Sequence, residues 1–287
     1  DYPGKKLLYV ENDEGELIEH QVDEINTSLS LFTDLSKAKA LLCNKKPKVV
    51  FQGQVPGQDG FLIDNELATN LIKDNLELNK VIKPQLIGRE LMSIFQCQPQ
   101  RHVIDFTGLD VFEAASYKEA YDIIAKEVQT ARRLMAEKQE NENQIILERN
   151  PKAKVNKHHI NFYKNWWKLS YGRENMLERF NNITRYVVCP QLTSRPVFEF
   201  IESKIIPNAT LIAFAFDDDY TFGILQSTLH ISWLKEKCST LKGDYRYTAN
   251  TIWDTFPFPQ NPKLSYVKKV ADAAIELRDK RNAVMNK

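Results

Sequence analysis

The sequence predicts an α+β protein: mixed sheets with long amphipathic helices, followed by a smaller, mainly helical C-terminal region. Short runs rich in β-branched and aromatic residues, such as Val49-Val50-Phe51 and Val103-Ile104-Asp105-Phe106, have the length and composition of strands. Apolar residues recur at intervals of three and four from Tyr117 to Met135 and from Leu264 to Met285, which is helical spacing. With 287 residues and a hydrophobic fraction of 43%, the chain can bury real cores in one large or two ordinary domains.

In order along the chain, Lys6 to Val10 and Leu17 to Val22 flank the polar turn Glu11 to Gly15 and predict a β-hairpin. The chain opens at Asp1 without an initiator Met and runs directly into a strand, so it is expected to be a piece of a longer polypeptide whose preceding domain owns the hairpin. Residues 23–44 suit a connector with a short helix over 34–42, and a new domain is expected to begin near Lys45. The strand Val49 to Phe51 enters a loop from Gln52 to Gly60 whose Gly53, Pro56, Gly57 and Gly60 permit tight turns and close backbone approach to a ligand. A strand over Phe61 to Ile63 follows, and Asp64 is placed to cap a helix from Asn65 to Asn75. The spacing predicts one helix from Phe112 to Leu147, with Tyr117, Tyr121, Ile124, Val128, Ala131 and Met135 on its apolar stripe and Gln139 to Asn143 as a break. Strands are expected over 184–189, 197–201 and 211–216, then a helix over 220–237 with Phe222, Leu225, Leu229 and Trp233 on one face. Pro257, Pro259 and Pro262 end regular structure before a last helix over 264–285, striped by Val267, Ala271, Ala274 and Arg278.

Lys plus Arg total 39 against 38 for Asp plus Glu, so a net charge of +1 gives no whole-chain argument for an acidic partner, and any such argument must be local. The four cysteines lie far apart without a CxxC pair, which fits reduced thiols and a cytoplasmic protein. No run approaches the roughly 18 to 20 apolar residues that span a bilayer, so no membrane partner is expected.

Cations and aromatics interleave between Lys152 and Arg173, including Lys164, Trp166, Trp167, Lys168 and Tyr171. Cations neutralise phosphates and aromatic planes stack on exposed bases, so this mixture suits a nucleic-acid surface. The alternative puts the tryptophans in a core and the lysines on a solvated rim. The adjacent His158 and His159 lack the same-face spacing of metal ligands. Asp217-Asp218-Asp219 reads either as a magnesium-binding cluster or as a strand-to-helix connection carrying an N-cap, with the cap favoured. Asn150-Pro151 lacks the second Pro and the aromatic of an amino-methyltransferase turn, and no nucleophile elbow, metal spacing or phosphate loop is present, so no catalytic residue is assigned. Thr193-Ser194-Arg195-Pro196 offers two hydroxyls and a guanidinium that can read guanine, although pattern alone makes it an ordinary turn.

Taken in order, Gln52 to Phe61, Lys83 to Glu90, Val103 to Phe106, Trp166-Trp167, Arg185-Tyr186, Asp217 to Gly223 and Asp244 to Thr248 through Phe256 to Pro259 resemble the C-terminal part of the MmeI-like type IIG/IIL restriction-modification enzymes. In that family a nuclease and an adenine-N6 methyltransferase precede a target recognition domain and a helical C-terminal region. The resemblance implies that residues 1–44 are the end of a methyltransferase and a linker, 45–205 the DNA target recognition domain, and 206–287 the C-terminal region. It implies sequence-specific reading of double-stranded DNA, with Thr193, Ser194 and Arg195 as leading base contacts and Gln52, Gln54 and Gln58 as further loop candidates. On charge grounds Lys164, Lys168 and Arg173 are phosphate candidates, with Arg246 beside them; Trp253 and Phe256 to Pro259 are assigned to packing. No cofactor is expected in this piece. S-adenosylmethionine and Mg2+ are expected in the parent enzyme, whose methyltransferase and nuclease domains would be partners in the same chain. The rival readings are a protein-docking domain of a phage-defence complex, or a self-contained enzyme using Asp217 to Asp219 with a metal.

Overall fold

The computed structural model describes residues 4–12, 14–25, 35, 37–93, 97–241 and 243–285. Its architecture is α+β, with helices and four separate sheets among the described residues. Strands β1 (Lys6–Glu11) and β2 (Leu17–Val22) form the expected hairpin, Lys6 lying opposite Val22. The Asn12 carboxamide accepts from the amides of Glu14 and Glu16, and Gly15 at φ 82° supplies the left-handed residue of the turn.

The helix expected over 34–42 falls partly outside the described residues, and from Lys37 to Leu41 the chain is not helical. A single turn, α1 (Leu42–Lys45), follows instead. A tertiary anchor decides its position: the buried Asn44 amide donates to the carbonyls of Trp253 and Phe256 at 2.8 and 2.7 Å.

Strand β3 (Val50–Gln52) leads through the glycine loop to β4 (Leu62–Asp64) and α2 (Asn65–Asp74), which the Asp64 carboxylate caps through Leu67 N. Next come β5 (Ile82–Leu86), α3 (Gly88–Ser93) and β6 (Arg101–Ile104). The order β10-β5-β6-β4 makes a mixed sheet in which only β10 (Ile206–Pro207), running parallel to β5, departs from antiparallel pairing. A second, antiparallel sheet has the order β3-β11-β7-β9, formed with β7 (Arg185–Pro190), β9 (Glu199–Glu202) and β11 (Leu211–Phe214). The chain beyond residue 206 thus supplies strands to both sheets, across the expected division at 205/206. A small third sheet sets β12 (Ser239–Leu241) against β13 (Asp244–Arg246) and β13 against β8 (Leu192–Thr193).

The two larger sheets meet at the glycine loop. Gly53 N donates to Leu211 O and Gln54 N to Pro207 O, at 3.0 and 2.8 Å. A Cβ on Gly53 would lie 2.3 Å from the carbonyl oxygens of both Pro207 and Asn208, so only glycine permits this approach.

The single helix expected over 112–147 is instead α4 (Val111–Ser116), α5 (Lys118–Ile124), a π-helical turn over Ala125–Gln129, and α6 (Thr130–Arg149). Asp110 and Glu113 form a reciprocal capping box at its start. The π turn inserts a residue and rotates the buried stripe. Beyond Val128 the buried positions are therefore Arg132, Ala136, Gln139 and Asn143, while Met135 of the expected stripe is exposed. The expected break at Gln139 to Asn143 is continuous helix. Those polar side chains face inward to receive α7 (His158–Lys164): Gln139 accepts from His159 N at 2.8 Å and Asn143 donates to Asn156 O at 2.6 Å.

The helix expected over 220–237 is likewise two, α9 (Asp219–Gln226) and α10 (Thr228–Lys237), divided at Ser227, whose hydroxyl caps α10 through His230 N. Phe222 and Leu225 are buried as expected, but after the division His230 and Leu234 turn inward and Leu229 is 63% exposed. The last helix, α11 (Leu264–Met285), has the expected bounds and packs on α9, where a Cβ at Gly223 would lie 2.7 Å from Val270 Cγ1. Arg278 and Arg281 of α11 pair with Asp219 and Glu199, tying the helix to the second sheet. Among the described residues no helix is long and apolar enough to cross a membrane.

Candidate nucleic-acid interface

Strand β7 is buried from Tyr186 to Pro190 and emerges as β8, which pairs with β13 so that Leu192 lies opposite Arg246 and Thr193 opposite Tyr245. The Thr193 hydroxyl donates to Arg195 O at 3.0 Å and accepts from Arg195 N at 3.1 Å. It thus helps to shape the turn that carries Ser194 and Arg195. Ser194 and Arg195 stand exposed at the tip, and Arg246 is exposed on the neighbouring strand. The structure thus places Arg246 on the small sheet, opposite Leu192, and Arg195, expected in a different role, in the turn that follows β8.

The base of that sheet is rigid. Tyr247, 2% exposed, follows Arg246, and its amide donates to Gln191 O at 2.8 Å. Its hydroxyl meets Nε2 of the buried His230 at 3.2 Å, while His230 Nδ1 lies 2.8 Å from Leu225 O. A carbonyl only accepts, so Nδ1 carries the proton and the Tyr247 hydroxyl donates to Nε2. Burial favours this neutral ring and lowers the His230 pKa to about 4.

The glycine-loop glutamines are engaged otherwise. Gln54 is fully buried and donates to Asp105 Oδ2 and Gly172 O at 2.6 and 2.7 Å, so its expected base contact is replaced by a structural role. Gln52 donates to Ala209 O and accepts from Arg173, and the half-buried Gln58 amide lies against Met135 Sδ. Arg173 sits at φ 59° with its guanidinium on Gly53 O and Gln52 Oε1, at 3.2 and 3.1 Å. Partial burial lowers its pKa, and it lies over the Tyr171 ring. Arg173 therefore clamps the loop to α8 (Glu174–Phe180), where the sequence suggested a phosphate contact.

Between the aromatics and the cations the two readings divide. Trp166 and Trp167 pack against a buried apolar cluster that includes Phe106, Ile124 and Val128, and the Trp167 indole donates to Leu109 O at 3.2 Å. Lys152, Lys154, Lys157 and Lys164 are exposed, whereas Lys168 is half-buried with its ammonium over the Trp167 ring.

The residue that organises this surface escaped sequence reasoning. Arg132, 3% exposed, reaches from α6 and donates to the carbonyls of Lys168, Asn165 and Pro56, at 2.7, 3.3 and 3.3 Å. It lies over the rings of Phe61 and Phe162, and desolvation lowers its pKa to about 10, so it remains charged at neutral pH. One buried cation thus ties the glycine loop to the lysine-rich segment. The legible signal was its place four residues after Val128 and four before Ala136.

The Asp217 to Asp219 run serves the scaffold. Asp218 caps α9 through Thr221 N at 2.7 Å, and Asp219 pairs with Arg185 at 2.9 Å and Arg278 at 3.2 Å. Among the described residues no three His, Cys, Asp or Glu side chains gather as a metal-binding group. Trp253 and Phe256 are buried in packing roles.

Residues 170–260 match the family model described as MmeI, target recognition domain. A stretch of 64 residues, 22% of this chain, is 41% identical to DNA methyltransferase A of Bacillus subtilis (strain 168), covering 7% of that protein. The fold matches a solved structure of the Type IIL restriction-modification enzyme MmeI in complex with DNA, with a TM-score of 0.67 and 21% identity. That match covers 97% of this chain and 34% of the other, so the chain spans about a third of the length of the solved protein. The chain carries an MmeI-like target recognition region, which holds β7, β8, β9, β11 and β13 and therefore both Arg195 and Arg246.

Proposed function

We propose that the chain is the sequence-specific DNA recognition module of a restriction-modification enzyme. The observation that carries this reading is the small sheet inside the matched region, where Ser194, Arg195 and Arg246 are exposed on neighbouring segments above a buried, hydrogen-bonded base. A guanidinium on a short rigid turn can enter the major groove and donate to both acceptors of a guanine, worth about 1 to 3 kcal/mol of discrimination. Ser194 is a second base-edge candidate. The lysines from Lys152 to Lys168 hold phosphates without reading sequence. The exposure of Lys152, Lys154, Lys157 and Lys164 favours a nucleic-acid partner over a purely apolar docking face.

In this reading the parent protein methylates adenine at N6 with S-adenosylmethionine and cuts DNA with Mg2+, both by domains outside this chain. The chain's own residues bind and orient the duplex. The relatives' far greater length and the printed descriptions of a DNA methyltransferase and a restriction-modification enzyme support it.

Duplex binding measured by fluorescence anisotropy across a salt series tests the proposal. The logarithm of the association constant is expected to fall linearly with the logarithm of salt, and Lys164→Ala is expected to reduce the slope by about 0.9 for every duplex alike. Salt-independent binding, or no binding at low salt, would reject the assignment.

A further inference from the structure

Between the two larger sheets lies a cleft of about 460 Å³, bounded by β5, by α8 and by the turn between β9 and β10. Three lysines line it: Lys83 on β5, Lys80 in the turn before it, and Lys204 after β9. Lys83 is half-buried, and its Nζ donates to Asn79 O at 2.6 Å, which uses one of its three donors. Desolvation lowers its pKa, the mark of a cation held partly out of water.

The other two lysines stand at the rim. Lys80 pairs with Glu77 and Lys204 with Glu202, at 2.5 and 2.6 Å, and all four side chains are mostly exposed. Such pairs are weak, so either ammonium can swing inward at little cost. Among the described residues the one carboxyl group lining the cleft, Asp105, is engaged by Gln54 and by the Thr107 amide, at 2.6 and 2.8 Å. Burial raises its pKa, against the hydrogen bonds that favour its ionised form. Asn181 and Ser203 complete the lining with neutral donors.

We propose that this cleft is a phosphate-binding site, with Lys83 as its inner ligand and Lys80 and Lys204 closing on the anion from the rim. The site lies apart from the Arg195 turn and does not depend on base reading. The same chemistry accepts a phosphate of a DNA backbone or a free phosphate-bearing anion.

Inorganic phosphate is titrated against the 287-residue chain and followed by its 31P resonance. A saturable, single-site effect is expected, weakened about tenfold by Lys83→Gln and also weakened by the surface variant Lys204→Gln. Thermal unfolding checks that both variants fold. If the natural occupant is a DNA phosphate, Lys83→Gln also lowers the salt slope of duplex binding by about one; an unchanged slope with phosphate binding lost assigns the site to a free anion. Absence of saturable binding by the unaltered chain, or equal affinity in both folded variants, overturns the site. The phosphate titration needs no DNA, so its failure is distinct from failure of the recognition reading.

Discussion

Arg132 and His230 are two buried polar side chains, one charged and one neutral, and each fixes a surface it does not reach. Arg132 remains a cation because several carbonyls and two aromatic faces replace its water. Truncation to Ala strands those acceptors and opens a cavity, so Arg132→Ala is expected to cost about 3 kcal/mol or more of stability in urea unfolding. A loss under about 1 kcal/mol would contradict its central role. His230 is neutral, with a folded pKa near 4 against an ordinary 6.5. Between those values the unfolded chain binds a proton that the folded chain does not, so stability rises with pH across the window and is lost as pH falls from 6.5 towards 4. The loss is up to about 3 kcal/mol, and His230→Gln is expected to flatten that part of the profile. An unchanged profile would show that the ring is not buried as a neutral acceptor.

Connections between elements decide most of what the architecture does. Gly53 brings the two larger sheets together, and Gly53→Ala is expected to destabilise the chain by about 2 kcal/mol or more, because the added methyl meets backbone oxygens that cannot move aside. Equal urea midpoints for Gly53→Ala and the unaltered chain would remove the glycine requirement. Elements with local signals were legible in the sequence: the β1–β2 hairpin from its turn, the start of α2 from Asp64, and both ends of α11. The helices from 111 to 149 were misread where one local rule masked another. The π turn shifted the stripe by a residue, and Gln139 and Asn143 resembled a break because their partners, on and before α7, are distant in sequence. The Asp110 and Glu113 capping box was readable but overlooked. The pairing of β8 with β13 has no local signature at all, so the approach of the segment before Arg195 to the strand that carries Arg246 could not be read from spacing. For the same reason the partners of Gln54 and Arg173, namely Asp105, Gly172, Gly53 and Gln52, could not be read from spacing.

At the scale of the whole molecule, near-neutral charge conceals two exposed basic regions: the lysines from Lys152 to Lys164 on the segment held by Arg132, and Arg246 on the small sheet with Arg195 in the turn after β8. A module that only held phosphates would bind all duplexes alike, while one that reads bases must lose selectivity at a single position when a reading side chain is removed. The most direct measurement is selection from a pool of random duplexes by the unaltered chain and by Arg195→Ala, followed by sequencing of what is retained. The account predicts a defined motif for the unaltered chain, and for Arg195→Ala the same motif with one guanine position relaxed by about 1 to 3 kcal/mol. No motif from the unaltered chain, or an identical motif from the variant, would contradict it.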